Sequence, residues 1–198
     1  MIAILDSGVA NLTSVQAALN RLEADNVITD DPKVLQAAER VILPGVGTAA
    51  SAMRSLRAKG LDDVIRSLTQ PVLGICLGMQ LLFTRSEEGA DCLGIIGGNV
   101  QHLPAAHNFP LPHMGWNQLE LSASDHPLLQ GVQEGAFVYF VHSFAAPVGA
   151  YTLAQTTYGQ SFTATAAQGN FMGCQFHPER SGAVGSLILR NFIGMKNA

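Results

Sequence analysis

The first half of the chain repeats one pattern, a short and continuously apolar run followed by a stripe of apolar residues at helical spacing. Ile2–Leu5 ends at Asp6-Ser7-Gly8, and Leu12, Val15, Leu19 and Leu22 then recur along one helix face behind Asn11, a candidate N-cap. Asn26–Thr29 and Arg40–Leu43 read as further strands, the second stopped by Pro44-Gly45. Thr48 is placed to cap a helix through Arg57, and Asp62–Leu68 is again helical. Pro71–Ile75 is a fourth strand, with a helix over Leu77–Thr84 directly behind it. A strand that is apolar throughout has both faces covered, and helices between such strands make the crossovers of parallel βαβ units. Past Phe137 the punctuation changes. Phe137–Val141, Thr152–Thr157, Ser161–Ala166 and Phe171–Phe176 are strand-like runs separated by turns, before a closing helix over Ala183–Met195. The expected fold is α/β: a mostly parallel central sheet flanked by helices with an antiparallel β extension, in a single domain spanning residues 1–198.

Composition narrows the function classes. A chain of 198 residues buries enough surface to fold without a disulfide or metal staple. Charged residues make up only 13%, against ~25% in an average soluble chain, so some apolar surface is expected to meet a partner. The net charge of −4 comes with no basic stripe, which argues against nucleic acid as a partner. The most apolar stretch, Pro71 to Phe83, is broken by Gly74, Gly78 and Gln80, and the N-terminus carries no basic leader, so neither a membrane span nor a signal peptide is expected. Cys76, Cys92 and Cys174 are an odd number without a Cys-x-x-Cys pair. That pattern fits a reducing cytoplasm, and neither a metal site nor a cofactor is expected.

In a parallel sheet, ligands bind beyond the carboxyl ends of the strands. Three expected strands end there in residues capable of chemistry. Gly74-Ile75-Cys76-Leu77-Gly78 is the thiol version of a strand–turn–helix nucleophile elbow, with glycines where a side chain would strike the neighbouring backbone. The turn also sets the sulfur at a helix N-terminus, which favours thiolate. Alone, the same run also fits an apolar strand with a buried cysteine. His177-Pro178-Glu179 follows Phe171–Phe176, and residues two apart on an extended segment face the same way, so Glu179 can orient the imidazole that draws the thiol proton. Alone, it fits a strand-end ion pair. Pro44-Gly45-Val46-Gly47 follows the third strand, and a glycine-flanked peptide at Val46 can join the Leu77 N–H as an oxyanion donor, although Pro-Gly also makes ordinary turns. Taken together, the three segments describe a Cys76–His177–Glu179 triad with an oxyanion hole at Leu77 and Val46.

Gly74-Ile75-Cys76-Leu77-Gly78-Met79-Gln80 with Phe176-His177-Pro178-Glu179 resembles the class I (triad) glutamine amidotransferases. Pro44-Gly45-Val46-Gly47-Thr48, Pro112-His113-Met114-Gly115-Trp116-Asn117 and Tyr139-Phe140-Val141-His142-Ser143 are similar to a branch of that family. Its members are glutaminase subunits serving a (β/α)8-barrel cyclase that makes imidazole glycerol phosphate in histidine biosynthesis. The likeness extends over essentially the whole chain. It implies that Cys76 attacks the carboxamide of glutamine, and that Gln80 and main chain around Gly47, Ser143 and Phe144 hold the substrate's amino-acid end. It also implies a heterodimer in which unprotonated ammonia passes to the cyclase, with Asn11, Trp116 and Arg180 as candidates for the docking face. Trp116 could equally be core. His142 reads as a structural histidine at a strand end, His113 as loop or interface support, and Cys174 as inert core. Phe144 stands where the family pattern has tyrosine, which leaves a main-chain contact possible and removes a hydroxyl. A free-standing thiol hydrolase, a glutaminase subunit of another synthase such as anthranilate or aminobenzoate synthase, and a non-catalytic module remain alternatives.

Overall fold

The computed structural model describes residues 1–8 and 12–195. β1 (Ile2–Leu5), β2 (Asn26–Thr29), β3 (Arg40–Gly45) and β4 (Val72–Cys76) alternate with α1 (Leu12–Arg21), α2 (Pro32–Ala37), α3 (Ala49–Ala58) and α4 (Leu61–Ser67), and α5 (Leu77–Leu81) follows β4 directly. Then come β5 (Phe83–Ser86), β6 (Ala90–Asp91), β7 (Ile96–His102), β8 (His113–Gln118), β9 (Glu120–Leu121) and β10 (Phe137–His142). β11 (Phe144–Ala145), β12 (Thr152–Tyr158), β13 (Gln160–Gln168) and β14 (Phe171–Cys174) precede the closing helix α6 (Gly182–Gly194). Among the described residues the central sheet has eight strands in the order β2-β1-β3-β4-β14-β13-β12-β9. β2, β1, β3, β4 and β14 pair in parallel, and β13, β12 and β9 continue the sheet antiparallel. This is the expected α/β architecture with its antiparallel extension.

The alternation of side chains along each strand divides the core in two. Ile4, Ile42, Leu73 and Ile75 pack against Val15 and Leu19 of α1 and Ile188 and Phe192 of α6. Ala3, Leu5, Val41, Leu43 and Val72 pack on the other face against Leu35, Met53, Leu56 and Ile65 of α2, α3 and α4. The helix over 49–58 is capped as expected, the Thr48 hydroxyl accepting from the Ser51 N–H at 3.3 Å. Asn11, the other candidate cap and an interface candidate, lies outside the described residues.

Several boundaries differ from expectation. β3 runs through Pro44 to Gly45 instead of stopping at Leu43. The Val41 N–H bonds toward β4, at Pro71 O, so by alternation Pro44 faces the β1 side, where pairing has already ended at Ile42. Its missing N–H therefore costs no ladder bond. α5 ends at Leu81, not Thr84, because Phe83 opens β5, which pairs with β7 and β6 and buries Phe83 and Ser86. β14 ends at Cys174 rather than Phe176, as the chain leaves β4 and hydrogen-bonds His177 N to Tyr139 O of β10. β10 itself lies outside the central sheet, in an antiparallel ribbon with β8. Among the described residues no helix is long and apolar enough to cross a membrane.

Candidate active site

β4 is held between β3 and β14, with Gly45 opposite Cys76 and Cys174 opposite Ile75, and the rigid strand carries Cys76 straight into α5. Cys76 has φ 54° and ψ −110°, a strained conformation for a side chain with a Cβ and the signature of an elbow. The glycines around it are sterically required. A Cβ on Gly78 would sit 1.7 Å from the Leu43 carbonyl oxygen, and one on Gly74 2.6 Å from the Met79 nitrogen. The strand and helix backbones thus approach closely, and the buried sulfur stands at the head of the strand beside the cleft.

The opposing turn comes from the 3-10 segment Pro178–Arg180, which is pinned to β10. His177 N donates to Tyr139 O at 2.9 Å, the Ser181 hydroxyl donates to His177 O at 2.7 Å, and Tyr139 N donates to that hydroxyl at 2.9 Å. Within the turn His177 Nδ1 meets Glu179 Oε1 at 2.8 Å, with both side chains buried. Among the described residues Nε2 has no nitrogen or oxygen partner and adjoins the Cys76 sulfur. Burial works against a charged ring, but the adjoining Cys76 sulfur and the Glu179 carboxylate outweigh it and raise the imidazolium pKa from 6.5 to about 10. His177 is therefore built to hold a proton. Burial instead pushes the thiols of Cys92, to about 11, and Cys174 upward, so neither rivals Cys76 as a reactive sulfur.

Cys76, His177 and Glu179 open onto a cleft of about 370 Å³. Its walls also carry Val46, Gly47, Leu77, Gln80, Ser143, Phe144 and Arg180, so the structure brings together every proposed catalytic, oxyanion and substrate-binding position. Gly47 has φ +88° with open space around it, so the peptide at Val46 sits on a glycine hinge. Gln80 lines the cleft and spends both amide hydrogens internally, on Phe144 O at 2.8 Å and Gln175 Oε1 at 3.0 Å, which leaves only its oxygen for a ligand. The Ser143 carbonyl takes the Leu103 N–H, and the Phe144 carbonyl takes Gln80, so those two residues offer a ligand N–H groups and the Ser143 hydroxyl. Trp116 is not in the cleft and not in the core. It is 55% exposed on the outward face of β8, T-stacked with Tyr139 of β10, over whose ring Arg180 lies at 5.4 Å.

Sequence reasoning passed over Glu88, which borders the cleft while one oxygen accepts the Ala49 N–H at 2.7 Å. A glutamate in a Ser-Glu-Glu-Gly turn reads as solvated, so no sequence signal marks it. His113, expected in a loop or at the interface, is a correction. It is buried in β8 and stacked on the Phe140 and Tyr158 rings, and burial lowers its pKa to about 4. His142 ends β10 as expected, buried and held down to about 3 by desolvation. No group of His, Cys, Asp and Glu that could hold a metal ion occurs among the described residues.

The family model for class-I glutamine amidotransferases matches residues 3–195. The imidazole glycerol phosphate synthase subunit HisH of Shewanella loihica is 53% identical over 203 residues, covering 97% of this chain and 89% of that one. The subunit of the same name from Escherichia coli K12 is 51% identical over 196 residues, covering 98% and 99%. A solved glutamine amidotransferase structure shares the fold with a TM-score of 0.74 at 18% identity, over 97% of this chain and 96% of its own.

Proposed function

The chain belongs to the class-I glutamine amidotransferase family, and from that premise we propose that it is the glutaminase subunit of an imidazole glycerol phosphate synthase, with Cys76, His177 and Glu179 as its triad. The reading is carried by one observation: an elbow cysteine and a carboxylate-bound histidine, 101 positions apart by their numbers, share a single cleft. The Cys76 sulfur forms a bond to the side-chain carbonyl carbon of glutamine, and the oxygen takes up the negative charge. Leu77 N–H, first in α5 and without an intrahelical acceptor, and the hinged peptide at Val46 receive that oxyanion. The C–N bond then breaks as His177 Nε2 passes its proton to the departing ammonia, which leaves a γ-glutamyl thioester. Water attacks the thioester, His177 takes a proton from it, and glutamate is released with the sulfur restored. At the amino-acid end, the Gln80 oxygen and the Glu88 carboxylate suit an ammonium group, while N–H groups at Ser143 and Phe144 suit the carboxylate.

The partner is a (β/α)8-barrel cyclase, docked on the β8–β10 ribbon in a cytoplasmic heterodimer. Met114, Trp116 and Phe137 are each more than half exposed on one side of that ribbon, an apolar patch with an arginine at its rim. Val141 and Arg180 belong both to this side and to the cleft wall, so a partner seated there would cover the mouth and keep ammonia from bulk water. The whole chain acts as one glutaminase domain. Glutamate release by the isolated chain, with and without the cyclase and its nucleotide, tests the assignment, which requires strong stimulation; an equal rate alone would indicate a free-standing hydrolase. Cys76→Ala is expected to abolish glutamine-dependent synthesis and to spare synthesis from added ammonium. Loss of both would refute the division of labour.

A further inference from the structure

α5, at whose N-terminus Cys76 stands, is only five residues long and sums few peptide dipoles. The sulfur adjoins the His177 imidazole, itself paired with Glu179, and meets the Val141 carbonyl at 3.8 Å, which accepts the thiol hydrogen; a further donor lies against it. Gln175, fully buried in the segment that joins β14 to His177, places Nε2 3.8 Å from Cys76 Sγ. We propose that Gln175 is a further catalytic residue, whose side-chain amide donates to the Cys76 sulfur and favours its thiolate, aimed by a hydrogen-bond chain that permits it one orientation only.

The orientation follows from a single carbonyl. Phe144 O can only accept, so the Gln80 amide 2.8 Å away must present nitrogen to it. That same nitrogen lies 3.0 Å from the Gln175 amide, which must therefore answer with its oxygen. The Gln175 nitrogen is left facing the sulfur. On its other side Phe144 O meets His142 Nδ1 at 2.9 Å, which must carry the hydrogen. With the ring neutral, His142 Nε2 is an acceptor, so His113 Nδ1 donates to it at 3.0 Å, and His113 Nε2 accepts from Asn117 Nδ2 at 3.4 Å. Asn117 is fixed in turn by donating to Thr157 O at 3.0 Å. The chain rests on one main-chain carbonyl at its Thr157 end and on another, that of Phe144, at its middle, so no member can reverse without leaving a buried polar atom unpaired. This accounts for two neutral histidines and a buried glutamine beside the cleft.

The inference rests on Cys76 being the nucleophile, and the test separates the two. Alkylation of Cys76 by iodoacetamide is followed against pH, with the modified position read by peptide mass, in the parent chain, Gln175→Met and Gln175→Glu. Both variants should shift the rise of the profile to higher pH, leaving roughly tenfold less reactive thiolate at neutral pH. Gln175→Glu should shift it further, because a carboxylate oxygen then faces the sulfur. In the assembled enzyme kcat for glutamine should fall more than KM changes. Profiles that coincide with the parent's in folded variants would overturn the proposal, whereas an inert Cys76 in the parent would overturn the nucleophile assignment beneath it. Should a variant not fold, the parent labelled with 15N at glutamine side chains still decides: the Gln175 amide resonances must move over the pH range of the alkylation profile, and static resonances refute the contact.

Discussion

In the proposed mechanism Glu179 acts through the imidazole, and its effect can be isolated at one ring. His177 keeps its proton to about pH 10 in the folded chain, against 6.5 for an unperturbed histidine. A raised folded-state value stabilises the protein fully below about pH 6.5, and the contribution disappears as the pH climbs toward 10. The same proton is needed by the leaving ammonia, so the alkaline limb of kcat/KM should lie far above the ordinary histidine range. Glu179→Gln removes one of the two groups that raise the ring. It should move that limb to lower pH and reduce kcat about 100-fold or more, with the chain still folded. Initial rates across pH 6 to ~10 check this; an unmoved limb would remove Glu179 from the triad. Ser181 works beneath the same turn, and its hydroxyl ties His177 to β10 without lining the cleft.

Elements set the close approaches on which the elbow depends. α5 lies against β3 and β4 because Gly78 and Gly74 have no side chain, and Gly185 lets α6 meet the Pro178 carbonyl, to which a Cβ there would come within 2.0 Å. Gly78→Ala would need backbone to move away from the Leu43 carbonyl. We expect a loss of about 3 kcal/mol or more, or a drop in Tm of roughly 6–12 °C, together with loss of glutaminase activity. Thermal unfolding followed by circular dichroism measures it, and a variant as stable as the parent would show that the two backbones are not in contact. The elements without a regular apolar pattern were the ones hidden in the sequence. α2 has six residues, too few for a periodic stripe, and β7 carries Gly97-Gly98 and only two buried positions, which reads as loop.

Across the whole molecule, cleft and apolar ribbon share a wall. Trp116→Ala, outside the cleft on the open face of β8, should weaken association with the cyclase by about tenfold or more and leave the Tm of the isolated chain nearly unchanged. Titration of the cyclase monitored by calorimetry, beside stimulation of glutaminase at saturating partner, distinguishes lost docking from lost chemistry. Unaltered affinity would place the partner elsewhere. The polar chain from Asn117 to Gln175 begins in the same ribbon, so the proposed docking surface and the donor at the sulfur are parts of one hydrogen-bonded structure.

The first four strands, the parallel half of the sheet and the segments that carry the proposed triad were legible because each is encoded within a few adjacent residues. Apolar runs have a period, an elbow needs its own glycines, and His-Pro-Glu brings its carboxylate within reach by itself. Gln175 left one trace, an amide inside an otherwise apolar run, but its partner could not be read from that. What the fold alone decided are contacts between residues far apart in sequence: Glu88 at the cleft, His113 in the core instead of a loop, and Gln175 against Cys76. Those depend on which buried donor finds which acceptor after the chain has closed, and a local pattern of residue types carries no information about a neighbour that packing supplies.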